Sequence, residues 1–345
     1  MNFGVIGPGK MGQLFIRDFI KCGAKLTYIK ASSIKRTNKI IKKFQKEGLL
    51  KNNNLKSVDS LVISSKTNTH YKYINNFYNK KKLLIEKPFF FCKNRSYHWH
   101  LNKAKVFLKS KKWIDINLSN DFLGDIYKKQ KFYKKKNFKK FFFKFYTGGK
   151  NNYKFIILDL MPHFFSIMQK LSPCKSVKII EKKVEKFKTF LVLKVDNYVC
   201  YIDLRERQKI KELSFGFDNF ILTRKQILNK ETLKNYLYNK KYNIKIKIYN
   251  PLNKFNNNYF ENFKKNSNTF KKKFIYENFK LTLKTYFFKT WMSSRLLKSL
   301  NCALSRNTFV LFFFMSLLNK FNSKFLWILS KFFFNNSLSI KHTPE

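Results

Sequence analysis

Over the first 120 residues the apolar positions switch between two periods. Residues 2–6 form a short apolar run that predicts a strand. Met11, Leu14, Phe15 and Phe19 follow at helical spacing. The pattern then predicts a second strand over Lys25–Lys30, a basic helix over 35–46 and a third strand over Ser60–Ser64. After a Thr-Asn-Thr-His loop come another helix, a strand at Leu83–Ile85, a helix near 95–109 and a strand near 113–118. Strands alternating with helices predict an α/β domain, a Rossmann-type doubly wound parallel sheet spanning 1–119.

Beyond residue 120 the rhythm changes. Lys128–Phe145 reads as a loop or a weak strand, and 155–171 as an apolar strand ending at Asp159 followed by a helix that carries His163. Val177–Ile180, Phe190–Val195, Tyr198–Leu204 and Leu213–Phe217 are strand-like runs with no helix between them. Such a series predicts an α+β domain with a large mixed or antiparallel open sheet, placed over 120–305. The Lys/Asn-rich stretch 223–275 receives no element, and helical spacing returns near 275–300. In the tail, 306–345, the uncharged run Asn307–Asn319 falls short of the roughly 20 residues a span needs. A packed helix is expected there, and membrane association is not.

Charge alters this picture less than its size implies. Lys and Arg number 73 against 19 Asp and Glu, a formal net charge of +54. The excess is spread along the whole chain, together with abundant Asn, Phe, Ile and Tyr and only 10 Gly and 6 Pro, as an AT-rich coding bias produces. Nucleic acid is therefore expected to bind only nonspecifically, through charge at low salt; aromatic residues interleave with lysines near 134–145, but no recognition motif accompanies them. Cysteines 22, 92, 174, 200 and 302 are scattered, with no CxxC pair and no grouping with histidine. Free thiols in a reducing compartment follow, hence a cytoplasmic protein without a metal site. No basic segment followed by an apolar stretch opens the chain, so no secretory signal is expected.

Candidate chemistry begins at Gly7-Pro8-Gly9-Lys10-Met11-Gly12, between the first strand and the first helix. Gly7 permits the tight turn, Gly9 admits the pyrophosphate against the backbone, and Gly12 lets helix and strand pack closely. The amides of the first helical turn, Lys10 and Met11 among them, then face the phosphates. At the end of the second strand an NAD site would carry an acid for the ribose 2′-hydroxyl. The chain instead has Ser32, Ser33 and Arg36, which suit a 2′-phosphate, so NADP is preferred over NAD. A third cluster, Asp159-Leu160-Met161-Pro162-His163, puts Asp159 and His163 on one helical face. By itself it also reads as a helix cap with an incidental histidine.

With Val62-Ile63-Ser64 leading to Thr67-Asn68-Thr69-His70, and Leu83-Leu84-Ile85 leading to Glu86-Lys87-Pro88, the chain resembles the Gfo/Idh/MocA dehydrogenase family. The resemblance covers roughly 1–120 well and 150–220 loosely; the carboxy-terminal third shows nothing that matches. It implies that Ser64, Thr67, His70, Glu86 and Lys87 join the cofactor site. It also implies a catalytic set of Lys87, beside the nicotinamide, His163 as acid/base and Asp159 holding substrate. The expected activity is hydride transfer between NAD(P) and a secondary hydroxyl or ketone of a sugar, nucleotide-sugar or cyclitol. A homo-oligomer formed through the second-domain sheet is expected. Two departures stand out: Gly148-Gly149 lies ten residues before Asp159, and the segment after the sixth strand lacks the usual substrate-contacting arginine and proline. The alternative is a non-catalytic NAD(P)-binding relative that serves as a regulatory or partner-binding module.

Overall fold

In a computed structural model, the structure describes residues 1–288 apart from 136, 230, 231 and 240. The expected tail, the end of the second domain and Cys302 lie outside the described residues. Five strands, β1 (Asn2–Ile6), β2 (Lys25–Lys30), β3 (Ser60–Ile63), β4 (Lys82–Ile85) and β5 (Ile114–Ile116), form one sheet. All its pairs are parallel, in the order β2-β1-β3-β4-β5. Helices α1 (Lys10–Lys21), α2 (Ile34–Lys46), α3 (Thr67–Phe77) and α4 (Tyr97–Leu108) connect the strands. The strand order reverses direction between β1 and β3. A doubly wound sheet binds ligands at that switch point, outside the carboxyl ends of its strands.

The second sheet has eight strands in the order β13-β12-β11-β10-β6-β9-β8-β7. Their ranges are β6 (Lys140–Tyr146), β7 (Val177–Val184), β8 (Lys188–Val195), β9 (Tyr198–Arg205), β10 (Glu212–Phe217), β11 (Phe220–Asn229), β12 (Thr232–Asn239) and β13 (Ile244–Ile248). Only β6 and β9 run parallel, so the sheet is mixed, as expected. The residues left between loop and weak strand resolve into a 3₁₀ turn, Lys131–Lys135, and β6. In β6 the alternation is literal: Phe141, Phe143 and Phe145 are buried on the inner face, while Phe142 stacks on Tyr201 on the other.

Helices α5 (Asp121–Lys128) and α6 (Phe155–Leu171) pack on the inner face. The expected strand ending at Asp159 does not form, for 155–171 is one continuous helix with Pro162 inside it. Its residues are apolar almost all round and nearly all buried, a pattern in which neither the 3.6 nor the 2.0 period is visible. Asp159 is consequently no cap; Lys154 holds that position without a side-chain bond.

Two more helices follow: α7 (Pro251–Lys264) lies in the stretch that the sequence left unassigned, and α8 (Lys272–Phe287) falls mostly where helical spacing returns. Asn250 caps α7 by accepting from the amides of Leu252 and Asn253, and Pro251 opens its first turn. Both helices return to the first core. Tyr259 stacks on Phe19 with 5.6 Å between ring centroids, and its hydroxyl lies 2.6 Å from Ser60 Oγ. Asp115, buried in β5, accepts from the amides of Thr269 and Phe270 in the α7–α8 link, and burial pushes its carboxyl up to about 6. The first sheet ends at Ile116 and the second begins at Lys140, while the first core draws on residues from both sides. No described helix is long and apolar enough to cross a membrane.

Candidate functional site

The glycine loop lies at the switch point. Gly7 has φ +85°, and a side chain there would run into the Ser64–Ser65 backbone. A Cβ on Gly12 would stand 2.6 Å from Gly7 O and 2.7 Å from Ser64 Oγ, so α1 can approach β1 only as glycine. Gly9 differs. The nearest atom to its would-be Cβ is Gly7 O at 4.0 Å, which leaves its Cα facing open space. Gly9 is also the N-cap of α1 and supplies no side-chain cap, so first-turn amides remain free for an anion.

A cleft of about 350 Å³ opens there, walled by Gly7, Pro8 and Gly9, by Ser32 and Arg36 beyond β2, and by Ser64 beyond β3. Ser65, Lys66, Thr69 and Tyr73 join the wall and were not singled out from the sequence. The fit to a dinucleotide is good: the cradle is closed to any Cβ at Gly7 and Gly12 and open at Gly9. No acid stands among the cleft residues beside β2. Lys10, Met11 and Gly12 lie in the first turn of α1, and Thr67 begins α3. Ser33 is not on the cleft wall; its Oγ caps α2 by accepting from Arg36 N at 3.3 Å. His70 is buried under the loop, with its ring nitrogens 2.9 Å from Ser65 O and 3.1 Å from Pro88 O. It ties the end of β3 to the segment after β4.

That segment carries Glu86-Lys87-Pro88. Glu86 is buried and accepts from Asn117 Nδ2 at 2.5 Å and from the Lys87 amide at 3.0 Å. Burial pushes its carboxyl up, against the pull of Lys87 and Asn117. Lys87 reaches across to α6, where Nζ donates to Asp159 Oδ1 at 2.5 Å. The two side chains remain 18 and 23% exposed, so the pair is reachable from solvent. Burial alone would weaken the ammonium, but Asp159 and then Glu86 outweigh it and hold Lys87 charged. Asp159 is likewise held ionised: burial opposes it, and the Lys87 charge prevails.

One turn further along α6 comes His163, buried beside Phe145 with 5.2 Å between ring centroids. Asn120 Nδ2 donates to its Nδ1 at 3.1 Å. Burial, then the Lys87 charge, push the ring down to about 3, so it is neutral at ordinary pH. An amide that donates to Nδ1 puts the ring hydrogen on Nε2, and the reversed amide would free Nε2 as a base. Lys87, Asp159 and His163 are therefore brought together, although Asp159 faces the lysine.

In this cluster Glu206 was also not singled out from the sequence. It follows β9, is completely buried, and shares the Asn151 amide with Asp159 at 3.5 and 3.0 Å respectively. Burial and the Asp159 charge raise its carboxyl to about 7. The backbone of Gly149 lies directly against it, and a methyl there would overlap the carboxyl group. The one available signal was the Gly148-Gly149 pair, which marks a close approach without naming its partner. Glu86, Asp159 and Glu206 gather around one lysine in a chain with only 19 acidic residues, so coding bias does not account for them.

A parallel sheet with a glycine-loop cradle at its switch point is joined to an open mixed sheet that faces a Lys-Asp-His cluster. Residues 1–104 match the family model described as "Oxidoreductase family, NAD-binding Rossmann fold". The match to this Gfo/Idh/MocA model is confined to the amino-terminal domain. No curated protein matches the chain in sequence. Among solved structures, UDP-N-acetylglucosamine 3-dehydrogenase from Acidithiobacillus ferrooxidans is similar with a TM-score of 0.62 at 12% identity, over 83% of this chain and 96% of that one. A biliverdin reductase from Synechocystis sp. PCC 6803, in complex with biliverdin and NADP+, gives 0.59 at 11% identity over 82 and 98%. A dehydrogenase from Clostridium difficile gives 0.57 at 14% identity over 82 and 98%. At such identities the likeness speaks for the fold.

Proposed function

We propose that this oxidoreductase transfers hydride between NADP and a secondary hydroxyl or ketone of a sugar, nucleotide-sugar or cyclitol. The observation that carries the reading is the Lys87 Nζ–Asp159 Oδ1 contact of 2.5 Å, with His163 one turn away on the same helix. Bound at the glycine loop, the nicotinamide would accept or supply the hydride. Lys87 donates to the substrate oxygen and stabilises the charge that develops on it. Asp159 positions that ammonium and keeps it protonated. His163 moves the alcohol proton, since a neutral imidazole can take it from a hydroxyl or donate to a carbonyl according to tautomer. Ser32 and Arg36 support NADP over NAD, since cation and hydroxyl face the place where an NAD site has an acid. The four described cysteines are all free, which supports a cytoplasmic setting.

The test is a panel of sugars, nucleotide-sugars and cyclitols with each nicotinamide, followed by absorbance of the reduced form. Turnover of at least one secondary alcohol or ketone is expected. NADPH should bind more tightly than NADH, by a margin that shrinks as salt rises. A protein that binds NADPH tightly and turns over nothing on the panel, while reducing an unrelated unsaturated acceptor, would overturn the substrate class.

A further inference from the structure

Across the inner face of the second sheet runs a row of side chains that includes Leu204, Phe145, Leu213, Leu237 and Ile246. These face α5 and α6 or lie at the margin of their core. One member of the row is not apolar. Arg224 on β11 pairs with Leu237 on one side and, one step from the Ser214–Thr223 pair, stands beside Leu213 on the other. Leu213 and Leu237 are almost wholly buried, so the guanidinium emerges between two core residues. Phe145, paired with Leu213, carries the ring of His163 against it. Arg224 thus shares the face and the neighbourhood of the proposed acid/base, and its charge is felt by His163.

Among the described residues Arg224 has no carboxylate partner and no hydrogen bond. Burial weakens its charged form, and nothing opposes that effect. A half-buried, uncompensated guanidinium is costly unless something pairs with it. It borders a cavity of about 470 Å³ at the sheet end, together with Lys211 and Lys225. The acid on that wall, Glu212, is occupied by Ser214 Oγ at 2.6 Å. A guanidinium presents five donors in a planar fork that matches a carboxylate or a phosphate edge to edge.

We propose that Arg224 is a specificity residue that grips an oxyanion, carboxylate or phosphate, carried by the substrate away from its reacting carbon. The assignment rests on the oxidoreductase reading above and narrows its substrate class from sugars in general to anionic ones. Leu213 and Leu237 on either side of Arg224 limit the water around it and strengthen a charged contact there.

The experiment measures calorimetric binding of D-glucuronate, D-glucose 6-phosphate and D-glucose to the full chain saturated with NADP, at fixed physiological ionic strength. At least one of the two anions should bind about tenfold or more tightly than glucose, and which of them wins identifies the carboxylate or the phosphate. In Arg224→Gln the advantage should vanish while NADPH affinity is unchanged. Arg224→Lys, which keeps charge and loses the fork, should retain part of it and serves as the informative variant should Gln fail to fold. The proposal is overturned by glucose binding as well as the anions, by an advantage that survives in Arg224→Gln through the general positive charge, or by no probe binding at all. Failure of NADPH to bind the wild-type chain would instead sink the oxidoreductase reading.

Discussion

At the glycine loop the working parts lie within Gly7–Gly12, with Ser64 closing against them. In the lysine cluster, Lys87, Asp159 and Glu206 come from a strand end, a helix and a second strand end, and Lys87 and Asp159 are 72 residues apart. The first region works by leaving things out: no side chain at three glycines, no cap on α1, no acid beside β2. The second works by concentrating charge, three carboxylates around one ammonium with a neutral imidazole alongside. Local omission depends on backbone geometry, which a short motif encodes. Long-range concentration of charge depends on which elements pack together, and no short motif encodes that.

The sharpest way to break this contrast is to remove charge from the second region and ask whether the first notices. Lys87→Met and His163→Asn should each lower turnover by roughly 10²–10⁴ while NADPH affinity stays near wild type. Together they should lose far less than the product of the single losses, because they act on one oxygen. A loss under about tenfold in either single variant, measured by steady-state kinetics, would remove that residue from the chemistry.

Within the glycine loop the contrast can be sharpened position by position. Gly9→Asp should abolish NADPH binding and leave the melting temperature nearly unchanged, since its Cβ would point into open space. Gly12→Ala should do the reverse in part. A methyl 2.6 Å from Gly7 O forces α1 outward, at about 1–3 kcal/mol of stability by denaturant titration. Equal stability losses at the two positions would show that the cradle is not divided in this way.

A smaller effect concerns Glu206. Its folded carboxyl titrates near 7, above the ordinary 4.5, because burial and Asp159 favour the neutral acid. Between those values the unfolded chain has released the proton that the folded chain keeps, so this group's contribution to stability falls as pH rises through the window. It is complete below about 4.5 and flat above about 7. Glu206→Gln, always neutral, should therefore gain on wild type from pH 4.5 to 7 and run parallel above it. Melting curves of the two proteins across that range give the answer, and a constant gap would mean Glu206 is ionised throughout.

Several elements were legible because their signals are local. The strand at Lys25–Lys30 and the helix beginning near Ile34 sit where the pattern put them, since each has a distinct period and a break at either end. The stretch 155–171 misled for the opposite reason. A helix buried on every side has no polar face to reveal its period, and Asp159 before Pro162 imitated a helix start. Helix α7 went unassigned because Lys and Asn dilute its apolar stripe; Phe255, Tyr259 and Phe260 become a stripe only against the first core, whereas α8 falls where helical spacing returns.

The sequence by itself determined the dinucleotide cradle, the parallel sheet that carries it and the presence of Lys87, Asp159 and His163. Glycine spacing and strand–helix alternation are properties of neighbouring residues, and sterics alone enforce them. Only the tertiary structure decided what those three residues face. Asp159, which the resemblance had holding substrate, pairs with Lys87; Ser33 caps α2 instead of lining the cleft; and His70 is a buried tie between two loops. It alone brought Glu206 over Gly149 and set Arg224 among leucines. The protonation and pairing of a charged group depend on burial and on the distance to other charges. Both are set by how the two sheets and their helices close on one another, which no single stretch of chain contains.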